Sequence, residues 1–106
     1  MNLKHVIFET INELPENPNY SRKFADLNYD YDGTKIPVEL VLLEYNENAE
    51  YDKGFAIDIL QGSKKYEGDA FDTLEQALED AESRIEDLYE SGVLETKEYM
   101  YSDYDI

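Results

Sequence analysis

The sequence predicts an α+β fold in which a helix, three or four antiparallel strands and a second helix follow one another along the chain. Three observations support this prediction. Apolar residues recur at helical spacing near each end, alternating apolar stretches lie between, and Asp32-Gly33 separates two of those stretches. Both helices can pack on the apolar face of one sheet, which gives a two-layer sandwich in the order α-β-β-β-α. The 106 residues suffice for one domain, assigned to residues 1–94, and an acidic, tyrosine-rich tail follows at 95–106.

The first helix is predicted over Asn2–Leu14. Its apolar residues recur at spacings of three and four, which would place them on one helical face: Leu3, Val6, Ile7, Ile11 and Leu14. Pro15 and Pro18 would end the helix, because proline cannot continue the backbone hydrogen bonding.

A β-hairpin with Asp32-Gly33 at its tip is predicted next. A type I′ turn needs positive φ at both central residues, and Asp-Gly meets that need. The register that this turn sets places three apolar pairs on one face of the hairpin: Tyr29 with Ile36, Leu27 with Val38, and Ala25 with Leu40. The other face receives Asp30 with Lys35, Asn28 with Pro37, and the unfavourable pair of Asp26 with Glu39.

The third strand is predicted over Gly54–Gln61, where apolar residues alternate and Gly62 follows. Because Pro37 has no N–H to offer this strand, the third strand should stop short of Pro37 or bulge there. Residues 63–71 are compatible with either a short edge strand or a loop.

The second helix is predicted over Thr73–Glu90. Thr73 or Asp72 can cap its start, and Thr73 and Gln76 have the spacing of a capping box. Gly92 suits a left-handed helix end that Val93 or Leu94 would pack against. The apolar residues between these signals form a continuous helical stripe.

Charge narrows the classes of function. With 26 Asp and Glu against 9 Lys and Arg, the formal net charge is -17, so the chain cannot assemble the large basic face that binds nucleic acid or anionic membranes. It contains no cysteine and no apolar stretch long enough for a signal peptide or membrane span. We therefore expect a cytoplasmic protein, monomeric or homodimeric, that uses no cofactor. Simple solubility, or adaptation to a salt-rich cytoplasm, is an alternative explanation of the acidity.

Residues 28–39 also have the spacing of a calcium-binding EF-hand loop. The candidate ligands are Asn28, Asp30, Asp32 and Glu39, with Gly33 at the sixth position. Lys35 would stand where such a loop has an apolar residue, and the surrounding sequence favours strands over the required helices. The hairpin is therefore the preferred interpretation.

Catalytic patterns are weak in this sequence. His5 is the single histidine, no serine lies in a nucleophile elbow, and the five glycines form no phosphate-binding loop. Carboxylate pairs are too numerous to indicate a catalytic pair. The sequence therefore predicts a binding protein that is not an enzyme.

Acidic residues follow one stripe of the second helix and flank it. We predict that this surface binds a basic protein, through Glu75, Glu79, Asp80, Glu82, Glu86, Asp87 and Glu90. Neighbours on the stripe are about 5–6 Å apart, which is close to the separation of successive phosphates in a nucleic-acid strand. The alternative is a solvated helix face.

Tyrosines interleaved with acids extend the predicted partner-binding set to the hairpin tip and the tail. Tyrosine is common at interface hot spots, although it also covers sheet edges. The residues are Tyr29, Asp30, Tyr31 and Asp32 at the tip, and Tyr99, Tyr101, Asp103, Tyr104 and Asp105 in the tail.

In size, acidity and predicted element order, the chain resembles the small DNA-mimic inhibitors of phages and mobile elements, such as anti-CRISPR and anti-restriction proteins. The resemblance implies that carboxylates stand in for phosphates and occupy the DNA-binding surface of a nucleic-acid enzyme. Locally, GDAFDTLEQALEDAESRIEDLYESG at 68–92 is similar to the strand-to-helix segment of HicB-like antitoxins. That resemblance implies a small toxin as the partner. An acidic accessory protein of a mobile element, without mimicry, is the third interpretation.

Overall fold

The computed structural model of the chain describes residues 3–10, 20–45 and 54–96. Its elements are a 3-10 turn (Leu3–His5), strands β1 (Glu9–Thr10), β2 (Tyr20–Tyr31), β3 (Thr34–Tyr45), β4 (Gly54–Gln61) and β5 (Lys64–Tyr66), and helix α1 (Leu74–Glu90). The strands form one antiparallel sheet whose spatial order is the order along the chain. Because β1 has only two residues, the other four strands make up most of the sheet.

The hairpin of β2 and β3 has the predicted register. Asp32 and Gly33 form the turn with φ values of 51° and 85°, as a type I′ turn requires. Tyr29 pairs with Ile36 and Asn28 pairs with Pro37, so the apolar and polar residues separate onto the two predicted faces. A shift of one residue would move every side chain to the wrong face, which is why the pattern specified the register.

Strand β4, which is the third strand predicted from the sequence, stops short of Pro37 as expected. The β3–β4 ladder ends where Glu39 faces Leu60, and β4 itself ends at Gln61. Beyond the end of the ladder, the Gln61 side chain takes the place of a backbone donor: its Nε2 donates a hydrogen bond of 2.8 Å to the carbonyl oxygen of Pro37. Gly62, at a φ of 61°, then turns the chain into the short strand β5.

Helix α1 begins and ends as predicted. The Thr73 hydroxyl accepts from the Gln76 N–H, and the Gln76 side chain accepts from the Thr73 N–H, which completes the capping box. At the other end, the N–H of Gly92 donates to Tyr89 O and the N–H of Val93 donates to Leu88 O, the two bonds of a Schellman motif. Gly92 has a φ of 81°, which glycine adopts without a steric penalty.

The predicted N-terminal helix is wrong, and with it the order α-β-β-β-α. Residues 3–10 form a single 3-10 turn followed by extended chain and β1, and the strands precede the one helix of the described ranges. Val6 and Phe8 are half-buried while Ile7 is 81% exposed, so burial alternates along the segment as it does in a strand. The remainder of the predicted helix lies outside the described residues.

The core lies between α1 and one face of the sheet, here called the helix face. It consists of Leu3, Tyr29, Ile36, Val38, Leu40, Leu42, Ile57, Ile59, Ala77, Leu78, Ala81, Ile85 and Leu94. The other face of the sheet, here called the far face, carries the alternate residues of each strand. They include Arg22, Phe24, Asp26, Asn28 and Asp30 from β2, Lys35, Pro37, Glu39, Val41 and Leu43 from β3, Ala56, Asp58 and Leu60 from β4, and Lys65 from β5. Within the described ranges, no helix combines the length and the apolar character that crossing a membrane requires.

Candidate protein-binding surfaces

The acidic stripe of α1 is partly engaged with the rest of the fold. The Glu82 carboxylate accepts a hydrogen bond from the backbone N–H of Leu3. One and two turns further on, Glu86 accepts from the Tyr29 hydroxyl and Glu90 accepts from the Tyr31 hydroxyl. Successive carboxylates at i, i+4 spacing therefore bind the N-terminal segment and strand β2.

All three donors to this stripe are electrically neutral. A backbone N–H or a phenol fixes the position of a carboxylate but leaves its negative charge in place. Glu82, Glu86 and Glu90 form none of the ion pairs within the described residues. The fold therefore holds a row of three oriented negative charges along one side of α1.

The same contacts change the acidity of the two phenols. Burial, followed by the hydrogen bond to Glu86, raises the pKa of Tyr29 well above its usual value. The hydrogen bond to Glu90, followed by partial burial, raises the pKa of Tyr31 to about 12. Tyr31 also packs edge-to-face against Tyr89, with 5.9 Å between ring centroids. Both tyrosines therefore act as neutral hydrogen-bond donors at ordinary pH.

The structure corrects one residue of the predicted partner-binding set. Tyr29 is 0% exposed and belongs to the core, so its side chain offers no surface to a partner. The pairing of Tyr29 with Ile36 directs its ring to the helix face, and the hydroxyl reaches the rim at Glu86. Tyr31 is half-buried and presents only part of its ring.

The outward side of α1 carries the remaining acids of the set. Glu75, Glu79 and Asp87 are exposed, and no ion pair neutralises them within the described ranges. Asp80 differs, because it pairs with the Nε of Arg84 at 2.7 Å. The structure thus separates the predicted set into outward acids, stripe acids bound to neutral donors, and one neutralised acid.

Arg84, the single basic residue of α1, has a structural role. Its guanidinium donates to the carbonyl oxygens of Ile57 at 2.5 Å and Glu67 at 3.3 Å. Asp58, the residue after Ile57 in β4, is buried, and its carboxylate accepts a hydrogen bond of 3.1 Å from the N–H of Gly68. These bonds fasten the connection between β5 and α1 onto strand β4.

The hairpin tip projects two carboxylates with different surroundings. Asp30 accepts from the Gly33 N–H at 2.8 Å and from Lys35 Nζ at 2.9 Å, and these bonds, the one from Lys35 first, lower the pKa of Asp30. Asp32 is exposed in the turn itself. Strands flank this loop on both sides, so the EF-hand alternative, which requires flanking helices, is wrong. Asn28 and Glu39 belong to the strand ladders, and the described residues contain no group of three acids or histidines that could hold a metal ion.

The far face was not predicted as a surface of interest. Half-buried Phe24, Leu43 and Leu60 surround the buried Val41 there, and Arg22 lies over the Phe24 ring with 5.6 Å to its centroid. One feature of the sequence could have indicated this surface. In the VELVLL segment of β3, both the odd-numbered and the even-numbered positions include apolar residues, as expected for a strand with apolar residues on both faces.

Two grooves cross the far face. One has a volume of about 330 Å³ and lies over Phe24, Val41, Leu43 and Leu60, with Arg22 and Lys65 at its rim. The other has a volume of about 400 Å³ and lies beside Asp26, Asn28, Pro37, Glu39 and Leu60. Leu60 belongs to both, so the two grooves adjoin.

The tail residues of the predicted set lie outside the described residues: Tyr99, Tyr101, Asp103, Tyr104 and Asp105. The first residues after the helix are well anchored, since Leu94 is in the core and the Glu95 N–H donates to Gln61 Oε1 at 2.8 Å.

Comparisons with protein-family models, with curated proteins and with solved structures found no match to this chain. The surfaces described above are therefore interpreted from their own chemistry.

Proposed function

We propose that this protein is an acidic binding module that covers the nucleic-acid-binding surface of a basic cytoplasmic protein, with its carboxylates in the positions of phosphates. The proposal assigns binding and not catalysis to the chain. The observation that carries it is the row of Glu82, Glu86 and Glu90, which neutral donors orient without removing their charge. Exposed Glu75, Glu79 and Asp87 extend the negative surface along and around the same helix.

Orientation matters because a flexible acidic side chain loses rotamer entropy when it binds, about 0.5–1.5 kcal/mol for each immobilised chain. Carboxylates that are already hydrogen-bonded to the fold avoid part of that loss. A surface of one charge sign also attracts a basic partner from a distance and repels nucleic acid. Both effects favour a partner whose own ligand is a polyanion.

The test is a pull-down with the tagged protein from a host lysate at low salt, followed by elution with increasing salt or with duplex DNA. We expect a basic nucleic-acid-binding protein that salt releases steeply and that DNA displaces. A partner that DNA does not displace would contradict mimicry. If the captured partner were a small toxin that DNA does not displace, the protein would be interpreted as an antitoxin.

Charge variants locate the contact. Replacing Glu75→Gln, Glu79→Gln and Asp87→Asn together should weaken capture at least about tenfold, because several attractive contacts are lost at once. The matched control removes three exposed charges from the connection before the helix, through Glu67→Gln, Asp69→Asn and Asp72→Asn. Equal weakening by both triple variants would indicate attraction by net charge alone, without a binding surface on α1.

A further inference from the structure

The far face combines apolar surface with a charge that the fold leaves unbalanced. Phe24, Leu43 and Leu60 are half-buried in adjoining grooves, and no element of the described ranges packs over them as α1 packs over the helix face. These apolar side chains are therefore partly accessible to solvent, beside charged residues of the same face.

Asp26 and Glu39 are the unbalanced charges. They are direct partners on neighbouring strands, in a pairing that brings Cβ atoms about 4.5–5.5 Å apart, so two carboxylates repel each other there. The buried Asp58 on this face accepts a hydrogen bond from the Gly68 N–H at 3.1 Å, and two further acids have cations: Asp30 pairs with Lys35 at 2.9 Å and Glu67 with Lys65 at 3.6 Å. Among the described residues, Asp26 and Glu39 have no such cation.

Charge also decides between two occupants of this face. A second copy of the chain would bring the same two carboxylates and a further net charge of -17 to the interface. A basic partner would instead bring the missing cation. Removing the repulsion between Asp26 and Glu39 would then add to the attraction between the two proteins.

The spacing of the groups defines what the partner must present. Phe24 and Asp26 are two residues apart on one face of β2, which is about 7 Å along the strand. Leu60 lies next to Glu39 on the neighbouring strand. An extended segment with an apolar side chain and a lysine or arginine two residues apart matches both groups at once.

We infer that the far face is a docking site for an extended segment of a basic partner, with an apolar side chain over Phe24, Leu43 and Leu60 and a lysine or arginine between Asp26 and Glu39. This inference rests on the proposed function only for the basic character of the partner. The far face would then contribute a partly apolar contact, in addition to the electrostatic contact proposed for α1.

Two synthetic peptides of equal charge test the inference. In the first, leucine and lysine alternate at every second position, with serine between; in the second, serine replaces each leucine. We expect the leucine peptide to bind at least about tenfold more tightly, because burying one leucine contributes more than a factor of ten. Its binding should shift the amide NMR signals of Phe24, Val41, Leu43 and Leu60.

Variants separate the apolar contribution from the charge contribution. Leu43→Ser with Leu60→Ser should reduce the affinity for the leucine peptide to that for the serine peptide. Leu74→Ser, which removes a half-buried leucine on the helix side, should preserve the difference between the peptides. Asp26→Asn with Glu39→Gln should weaken both peptides more than Glu75→Gln with Glu79→Gln does.

Equal affinity of the wild-type protein for the two peptides, or signal shifts confined to α1, would overturn the inference even if the serine variants failed to fold. The outcome is independent of the DNA competition. A protein that discriminates between the peptides while its cellular partner resists DNA would refute mimicry and keep the docking site. A protein that binds the two peptides equally, while DNA displaces its cellular partner, would refute the docking site and keep mimicry.

Discussion

Gly68 is the residue at which an added methyl group would find no room. A Cβ there would overlap the carbonyl oxygen of Ile57 and lie 2.5 Å from Nη2 of Arg84. Replacing Gly68→Ala should therefore lower the free energy of unfolding by about 1–3 kcal/mol, as other overpacked sites do. Urea denaturation followed by circular dichroism measures this.

The neighbouring exposed position provides the control for this substitution. Asp69→Ala changes the same connection without entering the contact with Arg84, and we expect a change within about 0.5 kcal/mol. A Gly68→Ala protein as stable as the wild type would show that the connection can move away from β4 without loss.

Alkaline pH should weaken the contacts between the tyrosines and α1. Tyr29 and Tyr31 donate as neutral phenols, and their pKa values are raised above that of an unfolded tyrosine, about 10. Their contribution to stability is therefore complete below about pH 10. It is lost as pH rises through the folded pKa, about 12 for Tyr31. Urea midpoints measured from pH 8 upward should fall across this window.

Glu90→Gln tests the cause assigned to the Tyr31 pKa. The amide keeps a hydrogen-bond acceptor but removes the charge that opposes ionisation of the phenol. The tyrosinate absorbance of this variant should begin to rise at a lower pH than that of the wild type. An unchanged titration curve would refute the assigned cause.

At the scale of single residues, the sequence allowed the turn and the register of the hairpin to be predicted. The register that Asp32-Gly33 sets pairs Tyr29 with Ile36, Leu27 with Val38 and Ala25 with Leu40. The turn and the apolar alternation together were therefore enough to predict which residues pair across the two strands. The bond from Tyr31 to Glu90 could not be predicted in this way. It depends on the position of α1 over the sheet, which follows from packing of the whole core.

Among the elements, the end of β4 is held by one side chain. Gln61 donates to the carbonyl oxygens of Pro37 at 2.8 Å and Glu95 at 2.9 Å, and accepts from the Glu95 N–H at 2.8 Å. Gln61→Leu removes all three bonds from a site that is 7% exposed and leaves buried backbone groups unpaired. We expect a loss of about 2–4 kcal/mol in the free energy of unfolding.

Hydrogen exchange distinguishes local from global effects of this substitution. The amide of Glu95 should exchange much faster in Gln61→Leu, while amides in the middle of β3 should change only by the loss of global stability. Equal protection of Glu95 in both proteins would show that another group holds the segment after α1.

The N-terminal segment shows how helical spacing can mislead. Leu3, Val6 and Ile7 fit a helical face in the sequence, yet the observed burial alternates, with Ile7 pointing outward. Val6 and Ile7 are β-branched residues, which favour extended chain. The segment gains more by extending along the edge of β2 and bonding Leu3 to Glu82 than a short isolated helix would provide. Apolar spacing over so few residues does not separate these outcomes.

Over the whole molecule, self-repulsion should limit stability at low salt. A net charge of -17 opposes compaction, whereas the four ion pairs of the described residues are solvent-accessible and contribute little. The melting temperature should therefore rise between about 20 mM and about 500 mM sodium chloride, as the Debye length shortens from roughly 20 Å to a few ångströms.

Differential scanning calorimetry measures this rise, and the triple variant of Glu75, Glu79 and Asp87 serves as its comparison. With three fewer charges, the variant should melt at a higher temperature than the wild type in low salt and gain less from added salt. A melting temperature that falls with salt would mean that attractive pairs outweigh the repulsion.

The far face marks the limit of prediction for the whole molecule. Apolar residues at both alternations of β3 indicated two apolar faces, but both predicted helices were assigned to one face, so the far face was not recognised as a possible binding surface. The net charge follows from the composition alone. The neutral donors beside Glu82, Glu86 and Glu90 could not be predicted, because they come from distant parts of the chain that meet only in the folded protein.

The meander order of the strands also has a consequence for the synthesis of the protein. Each strand pairs with the strand made just before it, so the sheet can form as the chain leaves the ribosome. The helix that covers the sheet is made after the five strands, and Ala81 and Ile85 cannot reach the core until then. A nascent chain halted before residue 74 would expose Ile36, Leu40 and Ile59 to other nascent chains, and its strong negative charge would be the main protection against aggregation.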